Sequence, residues 1–356
     1  MSNLLEALSS RAGQRNQNWR MSVAIHRDRM LHIGSTASFR FRSTLAYDFG
    51  LLLFRPQEIP IKWILPMLSS SQTMRAIIMV CLAALCFTLN DTVTKFLIVD
   101  YDVTVIIFVR SILAMPLLAV MAIVIGRERV SWSTRVPFHA FRGVIGLLAA
   151  YLYIRGLAFL SVAEAAVIVF ASPCMITAGS VLFFREKVGS KKWAAVSISF
   201  IGVIIAMQPG AGAFQPASLF ILGAAFLYAV TSLTARWIPP QDNLWTVSFF
   251  GAAFSALLVA PLAFSRWTGP DPADLLLFGV AALCSSLGIG LGALAYRSAA
   301  AADLAPFSYT GLIWSLSATW IVWGGVPGPW TFVGALVIAA SSVFHFLSSR
   351  NDPNGP

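Results

Sequence analysis

The sequence predicts an all-α membrane protein with ten transmembrane helices in two inverted five-helix repeats. Three observations predict it. Mean hydropathy is +0.77, and only 11% of the 356 residues are charged, against roughly 25% in soluble domains. Apolar windows near the ~20 residues that span a bilayer recur from Arg75 onward with short connectors. Two pairs of segments also match at nearly one spacing. Residues 87–95 (FTLNDTVTK) overlay 228–236 (YAVTSLTAR) at an offset of 141, and the segment from Lys187 overlays that from Val326 at 139. Five is an odd number of crossings, so the second copy enters from the opposite face, an architecture that puts a site near the bilayer midplane.

Residues 1–73 differ from the rest. Arg55, Glu58 and Lys62 with Pro56, Pro60 and Pro66 interrupt their only apolar stretch. No continuous apolar core precedes a cleavage site, so a signal peptide is not predicted. This basic segment reads as a disordered cytoplasmic tail. The stretch MRAIIMVCLAAL opens like a first membrane helix and makes Met74 a candidate start. Spans then fall near 75–98, 103–125, 138–158, 161–183 and 192–208, a first repeat of 74–208. The second repeat, 217–348, holds spans near 217–236, 244–264, 274–297, 303–324 and 329–348, ahead of a cytoplasmic tail at 349–356.

Orientation follows from Lys and Arg in the short loops. With the N-terminus inside, the inner loops carry Arg127, Arg129, Arg135, Arg185, Lys187, Lys191, Lys192, Arg236 and Arg297. The outer loops carry Arg266 alone, and the first of them is acidic (Asp100, Asp102). Both termini are therefore expected in the cytoplasm of a bacterial inner membrane. Residues 1–75 hold +6 of the net charge of +10; the basic balance belongs to the tail and inner loops and points to no nucleic-acid partner. Cys81, Cys86, Cys174 and Cys284 lie in apolar segments without metal-ligand spacing and read as packing residues.

The first span breaks the apolar rule with Asn90, Asp91 and Lys95. An ionisable group at bilayer depth costs about 2.5–3.5 kcal/mol on insertion scales, so a partner or a function is implied. Asp91 and Lys95 are i and i+4 and share a helix face with Thr88. One reading is an internal ion pair with Lys95 reaching outward; the other is a cavity lining that meets solute or a coupling proton. Arg110 sits about two turns into the second helix, and Asp91 is its expected partner, as a structural bridge or as part of a binding site. Its counterpart at the 141 offset is Gly251, so the charged cluster belongs to the first half alone. Tyr228 and Thr231 stand opposite Phe87 and Asn90 in the repeat and are candidates for the same cavity. Tyr309 and Trp314 are candidates for a stacking wall, and Trp323 for an interfacial anchor. Arg142 is expected to reach the cytoplasm. Arg155 and Glu164 bracket an outer turn, where they pair at the surface or Glu164 acts as a titrating gate.

Several motifs carry nothing. GIGLGA at 288–293 follows no predicted strand and has no acid about 20 residues on, so it reads as small residues that let helices approach. His139 and His345 look isolated. No catalytic set, metal-ligand set or cofactor motif is present, and no enzyme is predicted.

The sequence resembles the EamA-type proteins of the drug/metabolite transporter superfamily over about residues 75–348. The resemblance rests on Asn90 followed by Lys95, on Arg110 within FVRSILAMPLL, and on YIRGLAFLSVAEAAVIVFASP leading to Pro173. FFREKVGSKKWAAVSISFIGVIIA contributes as well. The second half departs from the pattern: WGGVPGPW stands before the last helix, and Leu312 occupies the place of an expected proline, with Pro306 earlier. The resemblance implies a ten-helix carrier of a small organic solute, with riboflavin- and S-adenosylmethionine-type uptake branches the nearest in character. Its partners would be a small-molecule solute and the lipid bilayer, with a homodimer left open. The competing readings are an exporter of amino acids or other metabolites, and a non-transporting subunit or receptor whose polar stripe is a helix interface. If Met74 is the start, mass spectrometry of the protein from its native host yields no tryptic peptides from residues 1–73.

Overall fold

The computed structural model describes residues 71–124, 127, 130, 133, 135–185, 189–207, 215–238, 242–299, 304, 307–325 and 327–350. The expected disordered tail up to residue 70 lies outside them, as does Pro306. Every described element is helical: α1 Ser71–Leu97, α2 Val103–Val124, α3 Val136–Leu157, α4 Val162–Val169, α5 Ser172–Phe184 and α6 Ser190–Met207. There follow α7 Ala217–Thr234, a 3₁₀ turn at Ala235–Trp237, α8 Leu244–Ser265, α9 Pro272–Ser298, α10 Thr310–Trp323 and α11 Pro329–Arg350. Among the described residues, seven helical segments are long and apolar enough to cross a membrane, counting α4 and α5 as one segment, Val162–Phe184.

Boundaries differ from the sequence expectation at the ninth span, expected over 303–324, where α10 starts at Thr310, and at two others, each for a local reason. The first helix begins at Ser71 rather than Arg75, taking in polar residues whose helical bonds close regardless of hydropathy. The fourth span is two helices. Pro173 has no N–H to give the Val169 carbonyl, and its ring would clash there, so α4 ends at Val169 and α5 restarts at Ser172. At its other end α4 is fixed by a capping box, in which the Ser161 hydroxyl accepts from the Glu164 amide and the Glu164 carboxylate accepts from the Ser161 amide.

The most extensive packing joins helices from different halves of the chain: α1 with α9, α3 with α7, α2 with α8, and α6 with α11. Small residues make these approaches close. A Cβ on Gly334 would stand 2.5 Å from the Gly202 carbonyl oxygen, so α6 and α11 touch backbone to backbone. In the 288–293 run, Gly288 meets the Phe87 ring of α1 and Gly290 meets Trp245 of α8. These glycines serve helix contact.

Polar clasps hold two loop junctions at opposite ends of the α2–α8 pair. At one, the Tyr101 hydroxyl donates to Asp274 Oδ2 (2.8 Å) and accepts from the Asp271 amide (3.0 Å). Beside it Arg266 donates to Asp102 Oδ2 at 2.8 Å. At the other, the Ser133 hydroxyl donates to Asp242 Oδ2 (2.6 Å), which His139 Nε2 also meets at 2.8 Å. Tyr101 and Asp242 are 141 residues apart, and so are Ser133 and Asp274. The ends of α2 and α8 keep the same spacing: Val103 to Leu244, and Val124 to Ser265.

The backbone contact at Gly334 is testable. Gly334→Ala overpacks the α6–α11 crossing by about 1–3 kcal/mol and lowers the melting temperature of the detergent-solubilised protein. Gly292→Ala, which meets nothing within 4 Å, leaves it unchanged or raises it.

Candidate functional site

The polar stripe of α1 is buried inside the bundle. Thr88, Asn90, Thr92 and Thr94 are each less than 8% exposed. A polar atom buried this far is costly without a hydrogen-bond partner, and the Thr94 hydroxyl has none among the described residues. The Thr92 hydroxyl finds one in the Thr88 carbonyl of its own helix, at 2.8 Å.

Asp91 is held from two sides. The Tyr153 hydroxyl of α3 donates to its Oδ2 at 2.6 Å, and the Asn90 carboxamide donates to its Oδ1 at 2.9 Å. The Arg110 guanidinium of α2 points into the same cluster, where it donates to Asn90 Oδ1 at 3.5 Å. The expected direct bridge between Asp91 and Arg110 is therefore not formed. The adjacent carboxamide faces both charges and takes the intermediate place.

The expected internal ion pair between Asp91 and Lys95 is absent too. Lys95 Nζ reaches across to the end of α3, donating to the Leu157 carbonyl at 2.7 Å and the Leu160 carbonyl at 2.5 Å. Those carbonyls lie in the last turn and just beyond it, where no intrahelical donor remains and the helix dipole favours a cation. Asp91 to Tyr153 and Lys95 to Leu157 are both separations of 62 residues, so α1 and α3 run side by side in parallel register.

The other candidate residues lie apart from this cluster. Tyr309 stacks on Phe170 at the α4–α5 break, with centroids 4.8 Å apart. Trp314 Nε1 donates to the Cys81 carbonyl of α1 at 3.2 Å. Tyr228 is 57% exposed. The Thr231 hydroxyl bonds the Leu227 carbonyl of its own helix, at 2.9 Å. Trp323 stacks on Phe96, 5.5 Å between centroids.

Three surface expectations are corrected. Arg142 does not run out to solvent: it donates to the Thr231 carbonyl (2.6 Å) and the Thr234 hydroxyl (2.7 Å), tying α3 to the end of α7. Glu164 does not pair with Arg155; its carboxylate is committed to the cap at Ser161. His139 is not isolated, since Ser133 and Asp242 close around it and Phe250 stacks on its ring at 5.4 Å. The Ser133–His139–Asp242 group is not a nucleophile set. Both partners meet the same carboxylate oxygen, and the His and Asp side chains are 1% and 0% exposed, so no substrate reaches them.

Sequence spacing missed Tyr153, Tyr101 and Asp274 entirely. No local spacing signals Tyr153: its partner Asp91 is 62 residues away, and the neighbouring Leu157 contact is through a backbone carbonyl.

A helical bundle that crosses the membrane several times and keeps a carboxylate, a carboxamide, a phenol and a guanidinium together in its interior defines a multi-pass membrane protein with a buried polar site. The chain belongs to the EamA-like transporter family, whose model matches residues 74–208 and again 215–347. It is 28% identical over 271 residues to a riboflavin transporter of Vibrio cholerae, covering 74% of this chain and 89% of that one. It is 24% identical over 266 residues to an S-adenosylmethionine uptake transporter of Rickettsia conorii, covering 74% and 90%. A pseudopaline exporter of Pseudomonas aeruginosa is 23% identical over 273 residues, covering 75% and 94%. A solved crystal structure shares the fold with a TM-score of 0.51 at 16% identity, covering 75% of this chain and 98% of that chain.

At the first loop junction, partial burial alone would raise the Asp102 carboxyl. The Thr104 hydroxyl and amide and the Arg266 guanidinium outweigh burial and hold it below its ordinary 3.8. A carboxyl lowered on folding stabilises the fold above its unfolded value and loses that contribution as pH falls through the folded one. The melting-temperature gap between the unmodified chain and Asp102→Asn is therefore present at neutral pH and narrows as the pH falls below the ordinary 3.8.

Proposed function

We propose that this chain is a secondary transporter that carries a small organic metabolite across the bacterial inner membrane by alternating access. The observation that carries the reading is the Asn90–Asp91–Tyr153–Arg110 cluster. An interior group of this polarity is costly in a bundle that only has to pack, and it fits one that must receive a polar solute. Membership in the transporter family gives it a class.

The architecture that goes with this reading is ten spans in two inverted repeats, 74–208 and 217–348, with both termini in the cytoplasm. It is supported by the common 141 spacing of the clasp residues and of α2 and α8. It is supported as well by the pairing of α1 with α9 and α3 with α7, since each pair maps onto the other under that shift.

The best specific solute is a flat heteroaromatic metabolite such as riboflavin. The Vibrio relative carries that name, and Phe170 and Tyr309 form a stacked aromatic pair at the helix break. Asn90, Asp91, Lys95 and Arg110 would meet its polar edge and Tyr309 and Trp314 its rings; Tyr228 and Thr231 line the path in the second half. Protonation of Asp91 is the coupling step, and Glu164 takes a capping role. Export is the second reading, favoured by the likeness to a relative named as an exporter.

Expression in a riboflavin auxotroph that lacks its own uptake system restores growth on micromolar riboflavin. Losing a charge-assisted bond worth about 1.5–3 kcal/mol lowers uptake by Asp91→Asn roughly tenfold to a hundredfold, with membrane abundance unchanged. Rescue by S-adenosylmethionine or an amino acid instead reassigns the solute. Loss of assembly with uptake intact makes the stripe a helix interface.

A further inference from the structure

We propose that Lys95 is the closing bolt of one mouth of the path, and that its bonds to the Leu157 and Leu160 carbonyls are what part when that mouth opens. This deepens the transport reading and rests on it.

The contrast between two contacts of α1 carries the inference. Against α9 it packs along its length, with Gly288 seated on the Phe87 ring. Against α3 and α4 it touches at only a few places, yet that is where its ionisable groups are spent. Asp91 is tied to Tyr153, and Lys95 to the two carbonyls. Interdigitated apolar surfaces separate only by opening a void or exposing greasy area. A few hydrogen bonds separate cheaply if water follows into the gap, because the ammonium, the carbonyls and the phenol are then re-solvated. The α1–α3 seam is therefore built to part, and the α1–α9 seam to stay shut.

The chemistry of the bolt suits the role. Leu157 is the last residue of α3 and Leu160 lies in the turn before α4, so their carbonyls have no helical donor waiting. A Lys ammonium satisfies both at once and caps the negative end of the α3 dipole. Glu164, at the start of α4, is within electrostatic reach of the same ammonium and gives it a second anchor when α3 draws back. Opening also bares Lys95, Asp91 and Tyr153 to whatever enters, so the groups that close the mouth are the first that a solute meets.

Thr88 reports on the seam. It lies on the face of Asp91 and Lys95, two turns deeper than Lys95, and is 5% exposed. Thr88→Cys is placed in a chain whose four native cysteines are replaced by alanine. A membrane-impermeant maleimide is then applied separately to spheroplasts and to inside-out vesicles. With Lys95 present, labelling is slow from the side where α1 ends. Lys95→Met speeds it about tenfold from that side only, and Lys95→Arg, which can donate to the same carbonyls, returns it to the slow rate. Tyr153→Phe, which cuts the second tie, gives a smaller, roughly threefold rise on the same side. Lys95→Met labelling that rises equally from both sides, in a protein whose melting temperature in detergent is unchanged, overturns the bolt. Equal rates for Lys95, Lys95→Met and Tyr153→Phe overturn the bolt while leaving a path in place. No labelling from either side in any variant removes the path, and the transport reading falls with it.

Discussion

A carboxylate set among the helices of a membrane bundle must find donors for its oxygens, and that constraint organises the centre of this protein. Asp91 must draw its donors from side chains. Tyr153 from α3 and Asn90 from the next position supply them. With Asp91 satisfied there, Lys95 turns to the unfilled carbonyls at the end of α3. The common separation of 62 residues follows: one hydrogen bond sets the register of α1 on α3, and the second is available only in that register. Arg110 then meets the cluster through the Asn90 carboxamide.

Apolar contact and polar contact divide the remaining work. The seams of α1 on α9, α3 on α7 and α6 on α11 are long and rely on close approach, down to the glycine-on-carbonyl contact at Gly334. Dispersion in lipid rewards such fit, since hydrocarbon tails are no less apolar than leucine. The junctions at helix ends use carboxylates instead. Tyr101 with Asp274 and Ser133 with Asp242 bind loops whose backbone cannot satisfy itself. His139 completes the second clasp from the start of α3, and Arg142, one turn on, carries the tie to α7.

Hydropathy made most of the helices legible, because in a membrane protein burial and span length are written in the same apolar run. Even the break in the fourth span had a visible cause in Pro173. The side-chain partnerships were much less legible. Asp91 was expected to meet Lys95 or Arg110, because charge is visible in a sequence and a neutral phenol 62 residues away is not. His139 looked isolated for the same reason: Ser133 is six residues away but Asp242 is 103 away, and no local spacing rule joins them. Thr231 was singled out as the repeat counterpart of Asn90, yet it is its carbonyl that makes a long-range contact, to Arg142.

The 141-residue spacing holds at the clasps and fails at the centre, and the pattern of failure is informative. Tyr101 and Asp274 exchange with Asp242 and Ser133, donor for acceptor, so the two ends use the same positions with the chemistry reversed. Under the same shift Asp91 maps to Ser232, whose hydroxyl bonds its own helix at the Tyr228 carbonyl. Arg110 maps to Gly251, which has no side chain at all. A carrier built from inverted halves needs its two ends to be equivalent, because each must close in turn. It does not need a symmetric centre, because no ordinary metabolite is symmetric. In the proposed carrier of two inverted halves, equivalent ends around a charged cluster supplied by the first half alone would meet that requirement. In the carrier proposed above, a solute's polar edge would face α1, α2 and α3, and its remaining surface would be left to the second half of the chain.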